Sequence, residues 1–283
     1  MIEDEEGFVP LFDGTTLTGW HSEPRIFGPV WPGGPSSHPD GNSYGDWTPD
    51  LATRHQAVWR VEDGVIIGEQ DAPGSGFGGY LVSDAVYGDF ELRLEMNPDW
   101  PADTGVMLRR RAHSLKGLQV LVDHRKSGSI GGFYGNDLAG FHAVPFVIDA
   151  ELDAGGALVR LIEEDPATSI EPFTPHKRSL LSRAATAEDF LAVWRSGEWN
   201  ELRVRCVGGP VPVLTTWING VLVAELDVSR VEWPGFSADM VRDELGDSGH
   251  LAFEVHDNDR GMGYPRWGVG AACRWRNIRI KEL

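Results

Sequence analysis

From Asp89 to Met96 the chain reads DFELRLEM, in which Phe90, Leu92, Leu94 and Met96 alternate with Glu91, Arg93 and Glu95. A period of two puts the apolar side chains on one face of an extended strand and the charged ones on the other. The same rule recurs in TGVMLRRR (104–111), GLQVLVD (117–123), NELRVRCV (200–207), LAFEVHD (251–257) and CRWRNIRIKEL (273–283). WRVEDGVIIGE (59–69) reads as two short runs about Asp63-Gly64, and LTTWINGVLVAEL (214–226) as two longer ones about Asn219-Gly220. Both dipeptides suit the left-handed backbone of a two-residue hairpin turn. Helical periodicity is scarce. One helix is predicted in TAEDFLAVWRSG (186–197), with Thr186 as N-cap ahead of Glu188 and Asp189. On the order of nine short strands with tight turns predict an all-β sandwich of two antiparallel sheets packed face to face.

Two stretches break the alternation. Residues 21–57 are rich in Gly, Pro, Ser and Asp, with Trp31, Tyr44 and Trp47 spaced among them, and residues 136–197 carry the predicted helix within otherwise irregular sequence. Loops of this length in a compact domain are usually functional, and aromatics set into them suggest walls over a groove. No linker divides the 283 residues, so the expectation is a single domain spanning 1–283 with insertions at about 21–57 and 136–197.

A formal charge of -18 argues against nucleic acid or an anionic membrane as a partner, since both would be repelled. A small sugar is the better match, because 11 Trp exceed what a core needs and aromatic faces stack on sugars. The start, MIEDEEGF, is acidic where a secretory signal is basic and then apolar, which predicts a cytoplasmic protein, or an exported one if a leader was removed. Cys206 and Cys273 each fall at an apolar position of an alternating stretch and read as buried free thiols. The oligomeric state has no signature.

The candidate chemistry starts at LAFEVHDNDR (251–260). Leu251, Phe253 and Val255 face a core, so Ala252, Glu254 and His256 face the other way, about 7 Å apart at successive positions and within reach of one small ligand. In a jelly roll the outward face of a curved sheet forms such a groove. Asp257, Asn258 and Asp259 then make an acidic turn, which Asx chemistry explains as well as a cation does. In GLQVLVDHR (117–125) the apolar set Leu118, Val120 and Val122 leaves Gln119, Leu121 and Asp123 on the other face, with His124 at the strand end. If this strand neighbours 251–257, Asp123 and His124 approach Glu254 and His256. Such groups could form an acid/base pair or hold a divalent metal, although neither His-x-His nor His-Glu-x-x-His spacing occurs. Gly105, Met107, Arg109 and Arg111 share a face in DTGVMLRRR, and Arg109 could hold a carbonyl or enolate oxygen. Glu69, ending VIIGE before a Gly-rich loop, is a further candidate. ELRLE (91–95) has Arg93 between its acids, so the paired carboxylates of a double-displacement glucanase are missing. Phosphate-loop and Gly-x-Ser-x-Gly motifs are missing too.

In one collinear series, FVPLFDGTTLTGWH, WRVEDGVIIGE, GGYLVSDAVYGDFELRLEM, DTGVMLRR, GGFYG, SGEWNELRV, WINGVLVAEL and CRWRNIRIKEL resemble the 3-keto-disaccharide hydrolase domain family over residues 7 to 283. The resemblance implies a concanavalin A-like jelly roll that cleaves glycosides whose sugar has been oxidised at C3, as a lyase or a complete hydrolase, with no cofactor required. Gln119 stands where the family motif carries an acid and Leu121 where it carries a Gln, which leaves Asp123 as the only carboxylate of that strand. EVHDND falls where many members have a polar Gln-Asp-His type sequence. On this likeness His256 is the base, with Glu254 orienting it or acting as acid. Asp123 or His124 assists the leaving group, and Arg109 or a metal holds the ketone oxygen. Glu69, Gln119, Asp257, Trp31, Trp47 and Tyr134 line the substrate. The alternative is a lectin-like jelly roll that binds sugar without cleaving it.

Overall fold

A computed structural model of the protein describes residues 6–25, 49–71, 73, 75–258 and 266–283. Trp31, Tyr44, Trp47 and Asp259 lie outside the described residues. The chain forms β1 (Val9–Pro10), β2 (Trp20–Pro24), α1 (Pro49–Arg54), β3 (Val58–Glu62), β4 (Val65–Glu69), β5 (Gly79–Tyr87), β6 (Phe90–Pro98), β7 (Ala102–Arg110), β8 (Gly117–His124), β9 (Ile130–Asn136) and β10 (His142–Ala143). The hairpin β11 (Ile148–Leu152) and β12 (Leu158–Glu163) precedes α2 (Pro175–Ser179), β13 (Arg183–Ala184) and α3 (Ala187–Leu191). Then come β14 (Asn200–Val207), β15 (Val213–Ile218), β16 (Val221–Asp227), α4 (Ala238–Leu245), β17 (Gly249–Val255) and β18 (Ala272–Glu282).

One sheet runs β13-β16-β15-β14-β6-β18-β4-β3, with β1 against β18; the other runs β10-β9-β8-β7-β17-β5-β2. Every ladder in both is antiparallel. The predicted alternation decides which faces meet. Phe90, Leu92, Leu94 and Met96 of the first sheet and Leu118, Val120, Val122, Leu251, Phe253 and Val255 of the second are all buried in one core. At its centre Phe253 stacks on Trp20 at 5.3 Å and on Trp275 at 4.6 Å, so three rings tie β2, β17 and β18 together across the sandwich. This is the all-β sandwich of two antiparallel sheets that the alternation predicts, in the jelly-roll form that the family resemblance implies.

Both hairpin turns follow from their dipeptides: Asp63 and Gly64, and Asn219 and Gly220, all have positive φ. Thr186 caps α3 in a reciprocal box with Asp189. Both cysteines are free and buried. The 136–197 stretch is less irregular than its sequence suggests, since it holds β11, β12 and α2 as well as α3. The first residues of the other stretch are strand too, because β2 pairs with β5 from Trp20 to Pro24. α4 has no clear signal because only Val241 and Leu245 of its residues are buried, too few for a periodic stripe.

Truncating the middle ring of the stack leaves a void between two tryptophans. Phe253→Ala is expected to lose about 3–5 kcal/mol of stability, whereas Val86→Ala, at a side chain 51% exposed, stays within about 0.5 kcal/mol of the parent. Urea unfolding of the two variants checks both values.

Candidate active site

The face of the seven-stranded sheet turned away from the core carries buried charged side chains. Glu254 of β17 is fully buried there, and each of its carboxylate oxygens has a partner. Gln119 Nε2 donates to Oε2 at 2.5 Å, and Arg25 Nε donates to Oε1 at 2.6 Å. Gln119 sits on β8, which is separated from β17 by β7. The side chain can cross because Gly105 lies between: a Cβ there would come within 2.6 Å of Gln119 Nε2. Asn136 of β9 donates to Gln119 Oε1 at 2.7 Å, which fixes the orientation of the amide.

Arg25, just past β2, is the hub. Besides Glu254 it binds Asp257 through Nη1, and its Nη2 lies 3.0 Å from His256 Nε2. The imidazole Nδ1 lies 2.7 Å from the Asp257 carbonyl oxygen. A carbonyl only accepts and a guanidinium only donates, so His256 is neutral, with its proton on Nδ1 and a lone pair on Nε2. Burial first, and the charge of Arg25 second, lower its pKa. The Tyr80 hydroxyl is buried beside this group, and its pKa is raised by burial and then by Glu254.

A second group adjoins the first. Asp103 of β7 and Asp123 of β8 face each other in the ladder, both buried. Arg125 Nε and Arg266 Nη1 both reach Asp103 Oδ2, at 2.6 and 2.7 Å. Burial opposes the Asp103 charge, but Arg125, then His256 and Arg266, outweigh it and hold the pKa well below the carboxylate range. Asp123 goes the other way. Burial and then the Asp103 charge push its pKa well up, and its Oδ1 is buried without a partner. Two adjacent carboxyls are therefore pushed in opposite directions, Asp103 towards the ionised form and Asp123 towards the protonated one. Glu171, from the stretch between β12 and α2, accepts from Arg125 Nη2 at 2.8 Å; burial opposes its charge, but Arg125 leads in holding its pKa down, at about 2. The His256 backbone N–H donates to the Asp103 carbonyl at 3.2 Å, which links the two groups.

Of the residues singled out from sequence, the fold brings Glu254, His256, Asp257, Gln119 and Asp123 to this face. Tyr134 joins them from β9, ring to ring with His142 at 5.6 Å. Three others lie elsewhere. Arg109 sits at a bulge: β7 spends three residues from Met107 to Arg110 where β17 spends two from Ala252 to His250, and Arg109 has a positive φ of 50°. The extra residue turns Arg109 to Gly88, Asp89 and Gly209 at the far end of the strand. Arg110 takes the outer-face position, 2.7 Å from Glu23 and 4.5 Å above the Tyr80 ring. His124 alternates to the side opposite Asp123, where it packs against Trp100 and Trp194 and bonds the Asp99 carbonyl at 2.8 Å; burial lowers its pKa to about 4. Glu69 belongs to the other sheet and pairs with Arg60 at 2.7 Å. Its neighbour Gln70 is the one that reaches over, donating to the His256 carbonyl at 3.0 Å.

Arg25, Asp103, Arg125, Glu171 and Arg266 escaped the sequence reading. The alternation His21, Glu23, Arg25 is the available signal for the first. Among the described residues no three His, Cys, Asp or Glu side chains are grouped to hold a metal ion.

The sequence model of the 3-keto-alpha-glucoside-1,2-lyase-like domain family matches residues 34–281. The chain belongs to that family. The lyase-like domain is thereby a carbohydrate-related, glycosidase-like protein. None of the curated proteins matches it. Among solved structures it is similar to a protein from Parabacteroides distasonis ATCC 8503 provisionally described as a glycosyl hydrolase, with 16% identity, 98% of this chain and 94% of that one covered, and a TM-score of 0.44. It is similar as well to the carbohydrate-binding module CBM66 from Bacillus subtilis, with 10% identity, 80% and 92% covered, and a TM-score of 0.39.

The raised pKa of Asp123 makes stability depend on pH. Its folded pKa is raised, so the folded lyase-like domain keeps a proton that the unfolded chain has released above the ordinary aspartate range. That contribution is complete below the unfolded pKa and is lost as pH rises towards the folded one. Asp103, with a lowered pKa, contributes above the ordinary range and loses its share only in acid. Wild-type stability is therefore expected to fall by up to about 1.4 kcal/mol per pH unit from this group as pH rises above the ordinary aspartate range, and Asp123→Asn to remove that slope. Urea midpoints measured from pH 5 to pH 8 check it.

Proposed function

We propose that the protein cleaves the glycosidic bond of 3-keto-glycosides by removing the hydrogen on C2 and eliminating the C1 oxygen. Family membership supplies the substrate class. The observation that carries the chemistry is the arrangement on one sheet face: an imidazole at His256 bonded as a neutral ring, and two facing carboxyls, of which Asp123 is driven towards its protonated form and Asp103 towards its ionised one. A base already free of its proton and an acid already holding one are what an elimination needs at neutral pH. A module that only binds sugar has no use for a carboxyl kept neutral by a buried neighbour, which favours catalysis over the lectin-like alternative.

A ketone at C3 acidifies the C2 hydrogen, and His256 Nε2 accepts it. The negative charge that develops on the C3 oxygen meets a cationic environment, with Arg25 on one side and Arg125 and Arg266 on the other. Asp123 gives its proton to the departing C1 oxygen, while Glu254, clamped by Gln119 and Arg25, holds the floor in place. Water that re-adds across C1 and C2 would complete a hydrolysis. The process forms no bond to the protein, which accounts for the missing pair of glucanase carboxylates.

Incubation with a 3-keto-glucoside and with its unoxidised parent, products read by mass, tests the reading. Release of aglycone from the keto compound alone is expected, and equal turnover of the two would contradict it. His256→Ala lowers the rate by about 10²–10⁴-fold. Asp123→Asn slows substrates with sugar or alkyl leaving groups by a similar factor, yet leaves a nitrophenyl leaving group, which departs unprotonated, nearly unaffected. Because the pKa of His256 is depressed, the acid limb of kcat/KM lies below the ordinary histidine value, activity being lost as pH falls through it.

A further inference from the structure

Nε2 of His256, the atom required to take a proton, is not open. Arg25 Nη2 points its N–H at that lone pair from 3.0 Å. The same guanidinium is held at its other nitrogens by Glu254 and Asp257. Two carboxylates therefore fix where Arg25 lies, and the contact to His256 is the weaker one, between a cation and a neutral ring. A ketone oxygen is a competing acceptor, and one that gains negative charge as the reaction proceeds.

We propose that Arg25 caps the base until substrate arrives: the C3 oxygen of a 3-keto sugar takes over the Nη2 donor, and the same displacement releases His256 Nε2 next to C2. This rests on the elimination proposed above and adds the residue that couples binding to base activation. As the C2–H bond breaks, the proton goes to Nε2 and its electron pair forms the C2–C3 double bond. The carbonyl π pair moves onto the C3 oxygen, where the Arg25 charge already sits. Collapse of that enolate restores the ketone, forms the C1–C2 double bond and expels the C1 oxygen, which takes the proton of Asp123. Nothing is oxidised or reduced overall. An unoxidised sugar offers only a hydroxyl at C3, a poorer acceptor that acquires no charge, so the cap stays in place. Selectivity for the keto sugar thus arises in the activation of the base as well as in the acidity of C2.

A 3-keto-1,5-anhydroglucitol probe separates the steps, because it can enolise but has no aglycone to lose. Three readouts apply: deuterium uptake at C2 in heavy water, the carbonyl stretch of the bound probe, and the ¹⁵N resonances of His256. In the wild type, C2 exchange, a carbonyl stretch lowered on binding and an Nε2 resonance that moves towards that of an unbonded lone pair are expected. Arg25→Gln is expected to slow exchange by about 10²–10³-fold and to raise the pKa of His256, with Arg25→Lys intermediate in rate. Exchange by Arg25→Gln within about threefold of wild type, with an unchanged histidine pKa, would overturn the role of Arg25 and leave the elimination standing. Absence of exchange in the wild type would overturn the elimination and this inference with it. Should Arg25→Gln fail to fold, the wild-type measurements decide alone: an Nε2 resonance and a carbonyl stretch unmoved by the probe contradict the cap.

Discussion

Glu254 has no contact with water, and a carboxylate so placed survives in a fold only where each oxygen is given a strong donor. Arg25 and Gln119 are those donors, and most of the site can be traced to what this requires. Gln119 must cross a whole strand, so the strand between has a glycine at position 105. Arg25 must be buried in turn, so it takes Asp257 as a second counter-ion and leans on His256. Removing one member of such a group leaves an uncompensated buried charge, a cost of about 3–5 kcal/mol.

The second group obeys the same rule with a different result. Asp103 receives two guanidiniums and remains charged, and Asp123 opposite it is left with Arg125 at 3.8 Å and no partner for its Oδ1. Two carboxyls facing each other across one ladder cannot both ionise, and the arginines decide which one does. Among the described residues the buried carboxyls of the site outnumber its arginines, and Asp123 is the one driven towards its protonated form. Glu171 shows that the stretch between β12 and α2 takes part, since it closes over Arg125 from outside the sheet.

Much of this was legible in the chain. The period of two named the core face of nearly every long strand, and it placed Glu254 and Asp123 on the outer face because their apolar neighbours had to go inward. Three kinds of information were hidden. Strand order is not written in alternation, so β7 between β8 and β17 was unseen and the need for Gly105 with it. A bulge adds one residue and flips everything beyond it, which put Arg110 where Arg109 was expected. Partners from irregular sequence, Arg125, Glu171 and Arg266, carry no periodic signature; they are recognisable only once a buried carboxylate demands them. Arg25 lay within reach, two positions beyond Glu23 on an alternating run, but the glycine and proline around it read as loop.

The opposite protonation of Asp103 and Asp123 on one face is the central claim, and ¹³C-carboxyl NMR of the aspartates titrated through neutral pH measures it directly. One carboxyl of the pair should keep the shift of a protonated acid at pH 7 and lose it in Asp123→Asn, while the other stays ionised. Two carboxyls that both show ionised shifts at pH 7 would leave the site without its acid and would contradict the mechanism at its root.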